Sequence, residues 1–152
     1  ILILGSGDPS LEALLLQQAT NSSNILFLHG YSEALAAPLY RAGDLFLMPS
    51  SFEPCGISQM LAMRAGQPCV VHGVGGLKDT VEHGVTGFVF DGATPHEQSQ
   101  RFVQTTMDAL GMRAENPIQW QQISRNAMQQ RFDWKSSAQQ TIQSLYGEKN
   151  DR

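Results

Sequence analysis

Residues 45–59 read LFLMPSSFEPCGISQ, and this stretch decides how the rest of the chain is interpreted. A short apolar strand runs into Pro49, and the carboxylate of Glu53 and the glycine Gly56 follow before a helix begins. Free N–H groups at the start of a helix, together with the positive end of its dipole, bind phosphate. A carboxylate beside them can hold sugar hydroxyls or balance developing positive charge. The stretch therefore predicts a site for a sugar bonded to a diphosphate.

Outward from this stretch, short apolar strands alternate with helical segments. The strands lack polar alternation, as expected when helices cover both faces of a sheet. Strand–helix–strand repetition implies parallel strands joined by right-handed crossovers, so we expect an α/β fold, a Rossmann-like three-layer domain with a parallel sheet and C-terminal helices. The predicted strands are 1–4, 25–28, 45–48, 68–71 and 87–90, and the predicted helices are 11–19, 32–41, 57–65, 77–81, 94–110, 117–131 and 135–146.

The bulk composition argues against several classes of protein. The 152 residues are 41% hydrophobic and 16% charged, which suits one domain with a core. A net charge of −4 argues against a nucleic-acid surface. No apolar run approaches the roughly 18 residues of a membrane span, and no signal peptide is recognised. Two cysteines, Cys55 and Cys69, make no disulfide scaffold, so the predicted compartment is the reducing cytoplasm.

A second candidate site follows the fourth predicted strand. Gly73, Gly75 and Gly76 can wrap a phosphate or a sugar with backbone N–H groups, and a plain tight turn is the alternative interpretation. Ligand groups of α/β folds gather at the carboxyl edge of the sheet. We therefore expect this glycine-rich loop on the same edge as Glu53.

Two further strand ends carry weaker signals. The residues from Gly5 to Asp8 begin like a dinucleotide fingerprint, but Ser10 stands where that pattern needs its third glycine. A turn that lines a nucleotide pocket, or simply a turn, is therefore favoured. Tyr31 follows the second strand, where it is placed either to stack on a nucleobase or to fill an interface or core.

The remaining polar candidates are interpreted as structural. Glu82 and His83 lie in a polar turn that leads into a strand. Cys55 has no nearby His in the sequence to activate it, and we interpret it as a packing residue. His72 and His96 lack the spacing of metal ligands, so no metal or other cofactor is expected.

With these residues in view, the chain resembles a known family. Residues 52–59 strongly resemble the Phe-Glu-Pro-Cys-Gly-Leu-Thr-Gln signature of bacterial glycogen synthases and plant starch synthases, which are retaining glycosyltransferases of the two-Rossmann-domain (GT-B) architecture. The similarity extends in order and spacing through 4–9, 30–33, 61–66, 75–81, 87–90 and 132–138. Leu61 stands where many related glycosyltransferases carry a second Glu, which points to the synthase branch.

The resemblance implies that the chain is the C-terminal, nucleotide-sugar-binding lobe of such an enzyme. It implies that Glu53 is the catalytic residue that contacts the donor sugar. The backbone that follows Glu53 would hold sugar hydroxyls and diphosphate, the tyrosine would pack on the base, and the glycine loop would lie near the phosphates. The implied donor-binding residues are Tyr31, Cys55, Gly56, Ile57, Ser58, Gly75, Gly76 and Leu77.

The resemblance also implies an activity. The family moves glucose from ADP-glucose, or sometimes UDP-glucose, to the non-reducing end of an α-1,4-glucan and retains configuration. The favoured mechanism resembles a front-face displacement, in which the enzyme supplies electrostatics and positioning. The implied partners are a nucleotide-sugar donor and an α-glucan acceptor held by an N-terminal lobe, with neither nucleic acid nor membrane. A plastid replaces the cytoplasm if the source is a plant.

Several departures from the family pattern affect these expectations. We expect residues 1–147 to form a single lobe that lacks its first strand–helix unit, with its Arg and Lys, and the whole N-terminal lobe; residues 148–152 would be a frayed tail. Catalysis needs both lobes closed around the donor, so we expect the isolated chain to be inactive. Ser58 keeps the hydroxyl of the usual Thr. Val74 and His72 differ from the usual residues and leave the exact donor and the acceptor open.

Three other hypotheses stay open. The chain could belong to a related two-lobed glycosyltransferase with a different sugar donor or acceptor. It could also be a non-catalytic lobe that binds nucleotide or glucan. A nicotinamide dehydrogenase ranks last, because the glycine fingerprint is incomplete.

Overall fold

The computed structural model describes residues 1–146. They fall into two compact units, Ile1–Ala42 and a larger unit that begins at Gly43. The predicted frayed tail at 148–152 lies outside the described residues, and the single lobe over 1–147 stays a prediction. Within residues 1–146, no helix has the length and apolar character that a membrane span requires.

The first unit consists of two strand–helix pairs. Its elements are β1 (Leu2–Gly5), α1 (Pro9–Asn21), β2 (Leu26–His29) and α2 (Glu33–Ala42). β1 and β2 pair in parallel, with Leu2 opposite Leu26. Neither helix buries a residue, and only Phe27 of this unit belongs to the buried core.

Asp8 determines where α1 starts. Its carboxylate accepts hydrogen bonds from the backbone N–H groups of Ser10 (2.9 Å) and Leu11 (3.3 Å) and from the Ser10 hydroxyl. Pro9 occupies the first turn of the helix, where a missing N–H costs little. The Ser10 hydroxyl, followed by the two N–H groups, holds the pKa of Asp8 below its usual value. The residues that resemble a dinucleotide fingerprint thus include a helix cap.

The second unit is a three-stranded parallel sheet with helices. Its elements are β3 (Phe46–Met48), α3 (Ser58–Arg64), β4 (Cys69–His72), α4 (Gly75–Thr80), β5 (Gly87–Phe90), α5 (Pro95–Glu115), α6 (Pro117–Gln129) and α7 (Trp134–Tyr146). The strand order is β3-β4-β5, with Phe46 opposite Cys69 and Cys69 opposite Gly87. The carboxyl ends of all three strands therefore meet at one edge, where the segments that carry Glu53 and Gly75 emerge.

The core of this unit lies between the sheet and the two long helices. Val70, Phe88 and Phe90 of the sheet form one buried cluster with Ala109 of α5 and Ile123 of α6. Phe88 stacks on Trp120 with ring centroids 6.2 Å apart, and Phe90 contacts Phe102 at 5.3 Å. Burial of these aromatic rings fixes the sheet against α5 and α6 and makes the strand ends a rigid platform.

The predicted burial of every strand on both faces is partly wrong. All four residues of β4 are buried and β5 is nearly so, as expected for a central strand and its covered neighbour. In contrast, β1 has no buried residue, and Leu2 and Leu26 are exposed. The first unit has only two strands and two helices, which is too little structure to cover a sheet on both sides.

Several helix boundaries also differ from the prediction, and those of α5 and α4 matter most for the site. α5 continues to Glu115, beyond the predicted end at residue 110, because Gly111 stays within the helix and Asn116 and Pro117 end it. Asn116 also caps α6 through its side chain, which accepts from the N–H of Gln119. α4 begins at Gly75, two residues earlier than predicted, so the glycines that were assigned to a loop form its first turn.

Candidate functional site

The Glu53 loop, residues 49–57, joins β3 to α3 at the carboxyl edge of the sheet. Glu53 is half-buried, whereas the side chain of Phe52 is 81% exposed. No ion pair within residues 1–146 involves the Glu53 carboxylate. Gly56 turns the chain with φ +76°, a left-handed conformation that favours glycine. A carboxylate without an ionic partner at a strand end is available to a ligand.

The Gly75 turn, residues 73–76, touches the Glu53 loop through backbone atoms. The Gly76 N–H donates to the Glu53 carbonyl oxygen at 3.2 Å. A Cβ on Gly75 would lie 1.8 Å from that same oxygen, and a Cβ on Gly76 would lie 2.4 Å from the Cys55 carbonyl oxygen. The approach is therefore possible only for glycine at both positions. The structure thus brings together the two segments that the sequence placed on one edge.

The starts of α3 and α4 present backbone donors at this edge. Neither helix has a side-chain N-cap. In α4, however, the Gly76 N–H donates to the Glu53 carbonyl and the Leu77 N–H to the Val74 carbonyl, so the start of α3 carries most of the free backbone donors. Ile57 is exposed and Ser58 is half-buried at the start of α3. Leu77 is fully buried, so its side chain belongs to the core and only its backbone is placed to meet a ligand.

Tyr31 lies in the first unit, directly after β2 and Gly30. Its side chain is 85% exposed, which is unusual for an aromatic ring that serves only to pack. The interpretation of Tyr31 as a core residue is therefore wrong. Its predicted contact with a nucleobase stays a prediction.

The two cysteines occupy opposite environments. Cys55 is exposed in the Glu53 loop, so its interpretation as a packing residue is wrong. Cys69 is the buried one, on the central strand, and burial raises the pKa of its thiol to about 12. Because only a thiolate reacts readily with alkylating agents, the two thiols should differ in their reactivity.

We expect iodoacetamide at about pH 8 to modify Cys55 but not Cys69 in the folded protein. Cys69 is shielded by the sheet and stays protonated at that pH, whereas Cys55 faces solvent. Peptide mapping by mass spectrometry follows both sites, and denaturation should make them react equally. The Cys55→Ser variant is the control. Native alkylation of Cys69 would contradict the burial described here.

His72 is a residue of this edge that sequence analysis set aside. Its Nδ1 lies 2.9 Å from the Ser50 carbonyl oxygen, which only accepts, so Nδ1 carries the hydrogen. Its Nε2 lies 3.6 Å from the Asp91 carboxylate, and its ring stacks on Phe90. His72 thus ties the ends of all three strands together. In the sequence, the feature that could have indicated this role is the position of His72 at the end of the central strand.

Gln59 and Thr80 were also missed. Gln59 is fully buried at the start of α3, and its amide nitrogen lies 3.2 Å from the hydroxyl oxygen of Thr80 in α4. Gln59 stands inside the signature stretch and Thr80 one helical turn after Gly76, but nothing in the sequence indicates that they meet.

The predicted structural role of Glu82 and His83 is confirmed, since they form a turn in which His83 pairs with Gly87 in a β-bridge.

A separate groove of about 620 Å³ lies beyond Asp91, at the start of α5. Its charged lining residues are Asp91, Glu97 and Arg101, and the last two are 4.0 Å apart. None of the predicted site residues lines it.

Among residues 1–146, no group of three or more His, Cys, Asp or Glu side chains could hold a metal ion. The expected independence from a metal cofactor stays a prediction.

In the second unit, these features define a parallel α/β sheet whose candidate ligand groups, within residues 53–77, lie at its carboxyl edge. Comparison with known proteins then identifies the group: the chain belongs to the family "Glycosyl transferases group 1", whose model matches residues 1–108. The resemblance inferred from the stretch around Glu53 is therefore confirmed at the level of the family.

Individual relatives are consistent with this assignment. The chain is 40% identical over 147 residues to a glycogen synthase of Lactiplantibacillus plantarum, covering 92% of this chain and 30% of that protein. It is 41% identical over 145 residues to a glycogen synthase of Streptococcus pneumoniae, covering 88% and 29%. The chain thus spans less than a third of the length of these curated relatives.

Solved structures confirm the predicted fold class. The catalytic domain of starch synthase IV from Arabidopsis thaliana, bound to ADP and acarbose, matches with a TM-score of 0.77 and 32% identity, over 93% of this chain and 31% of that one. Anabaena HepE in complex with UDP-glucose matches with a TM-score of 0.70 and 28% identity, over 97% of this chain and 40% of that one.

Proposed function

We propose that the chain is the donor-binding lobe of a retaining glycosyltransferase that moves glucose from ADP-glucose or UDP-glucose to the non-reducing end of an α-1,4-glucan. Family membership, the glycogen synthase relatives and the nucleotide-bound solved structures support this proposal. The observation that carries it is the backbone contact between the Glu53 carbonyl and the Gly76 N–H. That contact sets a carboxylate beside the starts of two helices that have no side-chain cap.

In the proposed complex, the diphosphate lies against the N–H groups at the start of α3 and beside the start of α4. Their partial positive charge balances the charge that builds on the departing nucleoside diphosphate. The Glu53 carboxylate holds a sugar hydroxyl and offsets positive charge on the anomeric carbon as its bond to the diphosphate breaks. The acceptor hydroxyl bonds to that carbon from the same face, and its proton passes to the departing phosphate oxygen. Configuration is thereby retained.

A second candidate is a two-lobed glycosyltransferase that uses a different acceptor. The likeness to HepE, a chain bound to UDP-glucose that is not named as a glycogen or starch synthase, supports this candidate. Val74 and His72, which depart from the synthase pattern, both lie at or beside the Gly75 turn. The two candidates share the donor site and differ in what the other lobe presents.

A transfer assay on the full-length protein tests the proposal. The protein would be given radiolabelled ADP-glucose or UDP-glucose with glycogen as the acceptor, followed by α-amylase. We expect label in the polymer that α-amylase releases, which identifies α-1,4 linkages. Binding of a donor without transfer to glycogen, but with transfer to another glycan, would favour the second candidate. A protein that neither binds nor consumes either donor would contradict both.

A further inference from the structure

We propose that Gln59 and Thr80 are positioning residues that lock the Glu53 loop to the Gly75 turn and so set the geometry of the donor site. The inference rests on the proposed function for its catalytic consequence, but the lock itself is independent of any ligand. Neither side chain needs to touch the donor. Both act through backbone atoms of segments that carry Glu53 and Gly76.

The buried side chain of Gln59 restrains the backbone of the Glu53 loop. Its Nε2 donates to the carbonyl oxygens of Gly56 at 2.9 Å and Cys55 at 3.2 Å. The orientation of the amide is settled by these contacts, because the opposite orientation would aim Oε1 at two carbonyl oxygens. An amide nitrogen in this place therefore restrains the two residues that immediately follow Pro54.

The oxygen atom of the same amide shows that placing Gln59 here has an energetic cost. Gln59 Oε1 is buried and has no hydrogen-bond partner among the residues described. An unpaired polar atom in the interior is unfavourable, and native proteins keep few of them. An apolar side chain of similar size would avoid this cost. The presence of an amide here points to a requirement for its NH₂ group, whose two hydrogens are shared among three acceptor oxygens within 3.2 Å of the nitrogen.

Thr80 completes the link to the Gly75 turn. Its hydroxyl accepts from Gln59 Nε2 at 3.2 Å and donates to the Gly76 carbonyl oxygen at 2.8 Å. A hydroxyl can do both, because it has one hydrogen and two lone pairs. A continuous chain of hydrogen bonds thus runs from the carbonyl of Gly56 through two side chains to the carbonyl of Gly76.

This chain acts where the two segments touch. The Gly76 N–H donates to the Glu53 carbonyl, and no side chain separates the two backbones there. Loosening the lock should therefore displace the Glu53 carboxylate relative to the N–H groups of α4. Misplacement of a catalytic group by about 1 Å can cost on the order of 100-fold in rate.

The test compares Thr80→Val, which keeps the shape but removes the hydroxyl, with Thr80→Ser, which keeps the hydroxyl. In the full-length protein we expect Thr80→Val to lower kcat/KM for the nucleotide-sugar donor about tenfold or more, with part of the loss in kcat. We expect Thr80→Ser to stay within about twofold of wild type. Gln59→Met keeps the length of the side chain but removes the donated hydrogens, and it should behave like Thr80→Val, with less than additive effects in the double variant.

A second readout needs no activity. Amide hydrogen exchange of peptides that span 53–60 and 73–80 should speed up in Thr80→Val and return to the wild-type rate in Thr80→Ser. Unchanged exchange in a folded Thr80→Val protein would overturn the lock. Faster exchange with unchanged kcat and KM would overturn its role in positioning. A wild-type protein that transfers glucose from neither donor would defeat the proposed function, while the exchange comparison would still decide the lock.

Discussion

Replacing Glu53 with Gln in the full-length protein is expected to lower kcat for glucose transfer by about 100-fold or more, the scale of losing one key electrostatic group. Glutamine keeps the size and the hydrogen-bonding oxygen of the side chain but removes its negative charge. Glu53 is half-buried and has no ion pair within residues 1–146, so its charge is not neutralised by a neighbouring cation there. The charge is therefore free to act on positive charge that develops on the donor sugar.

Initial rates at saturating donor give the measurement, and KM should change less than kcat because the charge matters most in the transition state. Glu82→Gln is the matched control, because Glu82 is exposed in the turn before β5 and its substitution removes the same charge. We expect that variant to stay within about twofold of wild type. A Glu53→Gln enzyme within a few-fold of wild type would remove Glu53 from its proposed catalytic role.

The sequence predicts the elements of this fold well, because their signals are local. Each of the five strands is a short apolar run that ends at glycine, proline or a polar residue, and the structure contains all five in parallel pairs. Pro9 and Asp8 likewise mark the start of α1 through contacts within three residues. The position of Glu53 at a strand end follows from the same local signals.

Boundaries and burial were harder to predict, because they depend on what surrounds a residue. The helix predicted to end at residue 110 continues through Gly111, where nothing lies within 4 Å of the Cβ position, to a better stop at Asn116. Cys55 is predicted to be a packing residue because no His stands near it in the sequence, yet its loop leaves it exposed and Cys69 is the buried cysteine.

The contacts that hold the site together could not be predicted from a single sequence. Gln59 and Thr80 are 21 residues apart, and His72 and Ser50 are 22 apart. Each pair meets only because neighbouring parallel strands bring their following loops to one edge. Local patterns identify which residues can donate or accept, but the register of β3 against β4 decides which of them meet.

The second large effect is expected at Gly75. Gly75→Ala should lower both the free energy of unfolding and the rate of transfer, and the cause is mainly steric. The φ of +46° costs alanine about 1–2 kcal/mol, the usual penalty of the left-handed region. The larger problem is the position of the new Cβ, 1.8 Å from the Glu53 carbonyl oxygen. Both partners are backbone atoms, so the clash is relieved only if the Gly75 turn and the Glu53 loop move apart.

Separation of these segments by about 1 Å would break the hydrogen bond between Gly76 and Glu53 and displace the carboxylate, for an expected loss of about 100-fold in kcat/KM. Urea denaturation and donor kinetics on the full-length protein measure the two effects. Gly76→Ala separates their causes, since it adds a clash with the Cys55 carbonyl at 2.4 Å without a positive φ. Gly111→Ala is the control of opposite sign, because an alanine in open space within α5 should stabilise the protein by about 0.5–1 kcal/mol. If Gly75→Ala proved as stable and as active as wild type, the close approach of the two segments could not be the feature that builds the donor site.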